Sequence, residues 1–193
     1  MQMAAIDNRR RRQVQMLNAL DQAVASLLAY LAEQGQLDNT MVVYLGDNGF
    51  FWGEHRIQEG KNRVYEPSQH VPFALRYPPL VTGPRLESRL ASNIDIAPTI
   101  YQLAGLDIPA EVDGRSLVPL LEGGGKWRQT LLLESWPAQP YQSIHTERYV
   151  YVETNNQRSE LYDLEADPYQ LENAVDNPDY AEIVEELRGL LTA

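Results

Sequence analysis

Asp47 and Asn48 put a carboxylate and an amide oxygen side by side where the apolar run 41–46 stops. Adjacent oxygens at a strand end suit a hard cation; calcium takes about six to eight oxygen ligands. Gly49 and Gly53 allow a tight turn, and Gly60-Lys61 returns a cation toward the same place. A lysine holds an anionic oxygen as a point charge, so the set reads as a site for a metal ion and an anionic substrate. His55 can serve as a general acid or an anion ligand, and it can equally shape the loop by hydrogen bonding. Phe51, Trp52 and Tyr65 either line a substrate pocket or pack beneath the loop, and Glu66 is a candidate supporting residue. His70 and His145 read as structural or exposed. Asp-Asn-Gly is also ordinary turn chemistry; the buried strand before it and the aromatic loop after it favour the site.

The elements that must position these residues follow from pattern. A helix is predicted over 8–34, with Leu20, Val24, Leu27, Leu28 and Leu31 as one buried stripe and Gly35 as its stop. A turn over 37–40 leads into the strand 41–46, apolar on both faces as in a parallel strand covered by helices, so helix and strand read as half of a βαβ unit. The loop 47–68 is long enough to be functional. A second strand spans 71–77. A short helix spans 97–104, with Pro98 in its first turn and Gly105 as its stop, and another spans 117–121. Gly123-Gly124-Gly125 marks a boundary. Beyond it come strands over 131–134, 148–154 and 160–163, a turn at Asn155-Asn156, and a closing helix over 179–191. The fold class is α/β, an α/β unit over 1–122 followed by a small antiparallel sheet with a C-terminal helix over 126–193.

Composition removes several functions. The chain has 193 residues and a net charge of -11, which argues against nucleic acid as a partner; Arg9 to Arg12 read as a solvated helix face. The absence of cysteine excludes disulfides, thiolate metal sites and a cysteine nucleophile. No run of about 18 apolar residues occurs, so no membrane span is expected. The first residues lack the apolar core of a signal peptide, and localisation stays open, cytoplasmic or periplasmic/secreted. No nucleophile elbow, phosphate-cradling loop or His-rich metal motif is present.

These residues resemble the C-terminal half of the sulfatase family, within the alkaline-phosphatase-like superfamily. The resemblance runs through most of the chain: Asp38-Asn39-Thr40, Asp47-Asn48-Gly49, Gly53-Glu54-His55, Gly60-Lys61, Tyr65-Glu66 and His70-Val71-Pro72, where Arg is common in the family at position 70. It continues through Asp95-Ile96-Ala97-Pro98-Thr99, Leu103-Ala104-Gly105, Asp113-Gly114-Arg115-Ser116-Leu117, Pro119-Leu120-Leu121, Glu160-Leu161-Tyr162-Asp163-Leu164, Asp167-Pro168 and Glu172-Asn173. Their ordered succession carries the resemblance.

The resemblance implies a partial alkaline-phosphatase-like sandwich, with Asp47 and Asn48 as two ligands of an active-site calcium and Lys61 as a contact to the sulfate of a sulfate-ester substrate. His55 belongs to the motif without an assigned step. It also implies a formylglycine nucleophile, made within a Cys/Ser-x-Pro-x-Arg motif of the family's N-terminal half. Here the nearest match, Ser135-Trp136-Pro137-Ala138-Gln139, has Gln in place of Arg and lies in the wrong region. The expected function is the C-terminal part of a calcium-dependent sulfatase, inactive alone, present as a truncated product, a fragment or one piece of a split enzyme. A second expectation is a phosphodiesterase or phosphonate hydrolase of the same superfamily, which often carries His where Asn48 stands; an imidazole suits transition metals and an amide oxygen suits calcium. A third is a non-catalytic module. An incomplete sheet is expected to expose an edge and a face, inviting self-association or a partner that supplies the missing half.

Overall fold

A computed structural model describes residues 2–58, 60–136, 140–155 and 158–192. Residues 137–139 of the Ser135-x-Pro stretch, and Asn156 of the expected turn, lie outside the described residues.

α1 spans Gln2–Glu33, beginning earlier than its predicted start because no proline or glycine interrupts an Ala-, Gln-, Leu- and Arg-rich stretch of good helix formers. It ends as expected at Gly35, whose φ of +66° permits the reversal. The Gly35 amide donates to the Ala32 carbonyl (2.9 Å) and the Gln36 amide to the Leu31 carbonyl (2.8 Å), the paired bonds of a glycine-closed helix end. The stripe expected to be buried is not. Leu20 and Leu27 are exposed, and Val24, Leu28 and Leu31 are only partly covered. The helix lies against the turn Leu37–Asn39 at its own C-terminal end, and among the described residues no layer covers its apolar side.

β1 (Val42–Leu45) pairs antiparallel with β2 (Phe73–Arg76), from Val42 opposite Arg76 to Leu45 opposite Phe73. This corrects the expected parallel, helix-covered strand. No residue of β1 is buried, and Tyr44 is 43% exposed. A pattern apolar on both faces states what the strand can bury; a two-stranded ribbon offers no second layer to bury it. Arg76 ties β2 back to the turn after α1, donating to the Leu37 carbonyl and the Asp38 carboxylate, both at 2.7 Å.

After the short helix α2 (Glu66–Gln69) and β2, the chain reaches α3 (Ile96–Leu103) and α4 (Val118–Leu121). Asp95, 0% exposed, organises this region. Its carboxylate accepts from the Ser92 amide (2.8 Å), the Arg115 amide (2.8 Å) and both terminal nitrogens of Arg128 (2.7 and 2.5 Å). Its carbonyl accepts from the Thr99 hydroxyl (2.6 Å), which accepts from the Leu117 amide (2.8 Å). A bidentate guanidinium–carboxylate pair is the strong form of the interaction. Beside it, a Cβ at Gly114 would lie 2.4 Å from the Ile94 oxygen, so the Asp113-Gly114 turn tolerates only glycine there.

The remainder is a four-stranded antiparallel sheet in the order β3 (Leu131–Ser135), β4 (Tyr141–His145), β5 (Tyr149–Thr154), β6 (Ser159–Asp163), followed by α5 (Ala181–Leu191). β4 was not expected from sequence. Period-two alternation sends Val150 and Val152 to one face and Tyr151 to the other. Tyr151, opposite Ile144 and Leu161, meets Val184 and Leu187 of α5. The opposite face packs Tyr141, Val150, Val152 and Tyr162 against Val64, with Tyr65 beside them. Fully burying a side chain of this kind contributes about 1.5–3 kcal/mol, so the loop carrying Lys61 is held down by half of the sheet's core.

Candidate functional site

β1 ends one residue before Gly46 and delivers Asp47 and Asn48 to the loop. The Asp47 carboxylate accepts from the Asn48 amide (2.9 Å) and is otherwise exposed. The Asn48 side chain donates to the Gly49 carbonyl (2.8 Å), and its oxygen accepts from the Lys61 ammonium at 3.0 Å. Asn48 and Lys61 therefore touch across 13 positions of chain, and Asp47 is the immediate neighbour of Asn48.

Two contacts force this approach. The Phe51 amide donates to the Gly60 carbonyl (2.9 Å) in an isolated antiparallel bridge, and the Phe51 ring is completely buried. The loop is thereby pinched shut one residue before Lys61. Gly49 lies flat against the 65–69 turn: its amide donates to the Ser68 carbonyl (2.9 Å), and a Cβ there would stand 2.0 Å from the Pro67 oxygen. Only glycine fits.

His55 lies in the turn Glu54–Arg56, entered through Gly53 at φ +117° and with His55 itself at φ +52°. Its ring stacks on Tyr65 at 3.9 Å with a 7° interplanar angle, and Phe51 meets both rings edge-on. Burial lowers the His55 pKa, while Glu160, Asp167, Glu54 and a backbone hydrogen bond with Tyr169 oppose the shift. Among the described residues, its partners do not include Asp47, Asn48 or Lys61. The geometry thus gives His55 a loop-shaping contact, one of the two roles its sequence allowed.

The floor is polar where it meets the sheet. Tyr65 and Tyr162 both donate to one Glu160 oxygen, at 3.2 and 2.8 Å. Burial raises both phenols, with Glu160 adding to the shift. The Glu66 carboxylate faces His70 at 3.1 Å and, at 3.9 Å, the buried His145, whose pKa burial lowers to about 4. The Glu66 amide donates to the Gln170 side-chain oxygen (2.7 Å), and the Gln69 amide nitrogen donates to the Tyr141 hydroxyl (2.9 Å). Glu160, Gln69 and Gln170 carried no sequence signal of this role, because single polar residues far apart in the chain form no local pattern.

The donors at Asp47 and Asn48 are oxygens, which fits a hard cation in kind. They do not fit it in number: among the described residues no group of three or more His, Cys, Asp or Glu is placed to hold a metal ion. No helix among the described residues is long and apolar enough to cross a membrane.

The strand end faces a lysine and is carried on an α/β unit with an appended antiparallel sheet. Residues 53–193 match the family model for the C-terminal region of N-sulphoglucosamine sulphohydrolase, and the chain belongs to the sulfatase family. It is 35% identical over 185 residues to the N-acetylglucosamine-6-O-sulfatase of Bacteroides thetaiotaomicron, covering 90% of this chain and 33% of that protein. It superposes with a TM-score of 0.86 and 33% identity on a structure solved in complex with its substrate, D-glucosamine-2-N,6-O-disulfate, covering 91% of this chain and 38% of that one. It also superposes on the phosphonate monoester hydrolase of Agrobacterium radiobacter, with a TM-score of 0.78 and 28% identity over 89% of this chain and 38% of that one. The chain spans about a third of the length of the curated relative it matches. The α/β fold with a small antiparallel sheet and C-terminal helix agrees with the sequence expectation.

Proposed function

We propose that this chain forms the C-terminal part of a calcium-dependent sulfatase acting on sulfate esters, with sulfated glucosamine units as the substrate class. The contact between the Lys61 ammonium and the Asn48 oxygen at 3.0 Å carries the reading, because it brings a cation for an anionic group onto a metal-type oxygen. Asp47 and Asn48 would hold the metal together with ligands from outside this chain. The calcium, when bound, would supply positive charge against sulfate oxygens, the form of stabilisation that weighs most where charge develops. Lys61 binds and orients the sulfate, and Phe51, fully buried, keeps the loop closed around it. The substrate class rests on those relatives that are named as N-acetylglucosamine-6-sulfatases; others are named for choline sulfate and ulvan.

The chain has no cysteine, and Ser135 lacks the arginine of the formylglycine motif four residues on. Turnover therefore requires a formylglycine carried on the family's N-terminal half, and the chain alone is inactive. The uncovered side of α1, with Leu17, Leu20 and Leu27 exposed, supports a partner surface for that half or, failing it, self-association.

The metal reading is tested by titrating calcium while following the Asn48 side-chain amide by NMR. A saturable shift in the range of about 10⁻⁴–10⁻³ M or weaker, typical of loosely built oxygen sites, is expected, and Asp47→Ala should abolish it. No shift at saturating calcium overturns the metal assignment. Aryl sulfate turnover above that of a Lys61→Ala control would overturn the proposed inactivity. A phosphonate ester hydrolase is the second reading, favoured by the superposition on the Agrobacterium enzyme and weakened by an amide oxygen at position 48, which suits calcium better than a transition metal.

A further inference from the structure

We propose that Gln170, in the turn after β6, is a positioning residue for the Asp47-Asn48 pair; this rests on the reading of that pair as the metal-binding end of β1. Gln170 is 1% exposed and held at φ +54°, a left-handed conformation uncommon outside glycine. A buried glutamine in that conformation is over-determined by its surroundings. Its amide donates to the Asp167 carbonyl at 3.0 Å, and the Glu172 amide donates to the Asp167 carboxylate at 2.8 Å, so the turn that carries it is closed on both sides.

The side chain spends one of its two polar ends. Oε1 accepts from the Glu66 amide at 2.7 Å, while Nε2 is buried with no partner among the described residues. A core site chosen for packing would take an apolar side chain and avoid that unpaired donor; the acceptor is what the position supplies. Its target is the first residue of α2, Glu66, where a helix leaves its amides unsatisfied.

From there the path to Asn48 has two further hydrogen bonds. α2 presents the Ser68 carbonyl to the Gly49 amide at 2.9 Å, and the Pro67 oxygen leaves no room at Gly49 for even a methyl group. Gly49 in turn accepts from the Asn48 side chain at 2.8 Å, the same side chain whose oxygen meets Lys61 at 3.0 Å. Gln170 therefore fixes α2, α2 fixes Gly49, and Gly49 fixes the rotamer of Asn48. Residues 104 positions apart are joined in this way, and the C-terminal sheet becomes part of the site's alignment.

The test compares Glu66→Pro, which deletes the donor amide at a helix position where proline is tolerated, with Glu66→Ala, which keeps the amide and removes the same carboxylate. Gln170→Leu removes the acceptor from the other side. Hydrogen exchange at the Gly49 amide and the NMR shifts of the Asn48 side-chain amide are read without added metal, so the outcome is separate from that of the calcium titration. Expected are a tenfold or greater rise in Gly49 exchange and a moved Asn48 resonance in Glu66→Pro and Gln170→Leu but not in Glu66→Ala, with Val150 and Tyr151 protection unchanged. Identical behaviour of Glu66→Pro and Glu66→Ala overturns the proposal. Loss of protection at Val150 and Tyr151 along with Gly49 overturns it as well, since Gln170 would then serve the fold and not the site.

Discussion

Replacing Gly49 by alanine tests how tightly the strand end is seated. The new Cβ would lie 2.0 Å from the Pro67 oxygen and 2.9 Å from its carbonyl carbon. Favourable contact between non-bonded heavy atoms begins at roughly 3.5 Å, so β1 and the 65–69 turn must part by about 1.5 Å. That displacement breaks the 2.9 Å bond from the Gly49 amide to the Ser68 carbonyl, which is worth about 1 kcal/mol net. The forced repacking adds about 1–3 kcal/mol. Removing a glycine from the unfolded chain returns about 0.4–1 kcal/mol. The net destabilisation is about 1–3.5 kcal/mol, roughly a 5- to 400-fold change in the unfolding equilibrium. Urea unfolding at constant m-value measures it, and hydrogen exchange at residue 49 locates it. A shift below about 0.5 kcal/mol, the usual range of a surface substitution, with the amide still protected, would refute the close approach.

Other expectations follow from the same geometry. Asp95→Ala strands the Arg128 guanidinium, itself only 7% exposed, and should cost about 3–5 kcal/mol in a urea melt, the range for breaking a buried pair; a cost near that of an exposed pair would contradict the burial. His145, with its pKa lowered by burial to about 4, binds fewer protons folded than unfolded between that value and the ordinary 6.5. Stability should therefore be full above pH 6.5 and fall as pH drops from 6.5 toward 4. The loss is at most about 3 kcal/mol at about 1.36 kcal/mol per pKa unit, reduced by the attraction of Glu66 at 3.9 Å; a His145→Gln variant should flatten that limb of the pH–stability curve. Lys61→Ala removes an exposed side chain and should change stability by less than about 0.5 kcal/mol, so any effect on anion or calcium binding can be read without correction for unfolding.

Much of the fold was legible in local pattern. Gly35 and Gly105 closed their helices where expected, with φ of +66° and +70°, because a left-handed terminus demands a residue without a Cβ. The alternation of Tyr149, Tyr151 and Glu153 with Val150 and Val152 announced a strand; that it is buried on both faces came from the structure. β4 escaped because Gln142, Ser143 and His145 interrupt its apolar alternation, and its burial comes from neighbours on either side. The α1 stripe was read correctly as a stripe and wrongly as buried: periodicity identifies a face, while its partner must be found elsewhere. β1 was misjudged for a related reason, since two apolar faces do not say whether the neighbour runs parallel or antiparallel. At the site, the meeting of Asn48 with Lys61 could be anticipated from glycines that fold the loop back. The supporting contacts could not, because a side-chain oxygen reaching a backbone amide 104 residues away leaves no trace in residue type.

The glycine triplet Gly123 to Gly125, two of whose members sit at φ of +79° and +86°, would act in isolation as a swivel. It is bolted on both sides. Arg128 reaches back across it to the fully buried Asp95, and Arg89 reaches forward to the Gly124 carbonyl at 3.3 Å. Turning about that joint would first have to pull a buried guanidinium off a buried carboxylate. Heat should accordingly melt the helical region and the C-terminal sheet in one calorimetric peak, and a joint that looks loose by composition is tied across by two guanidinium contacts.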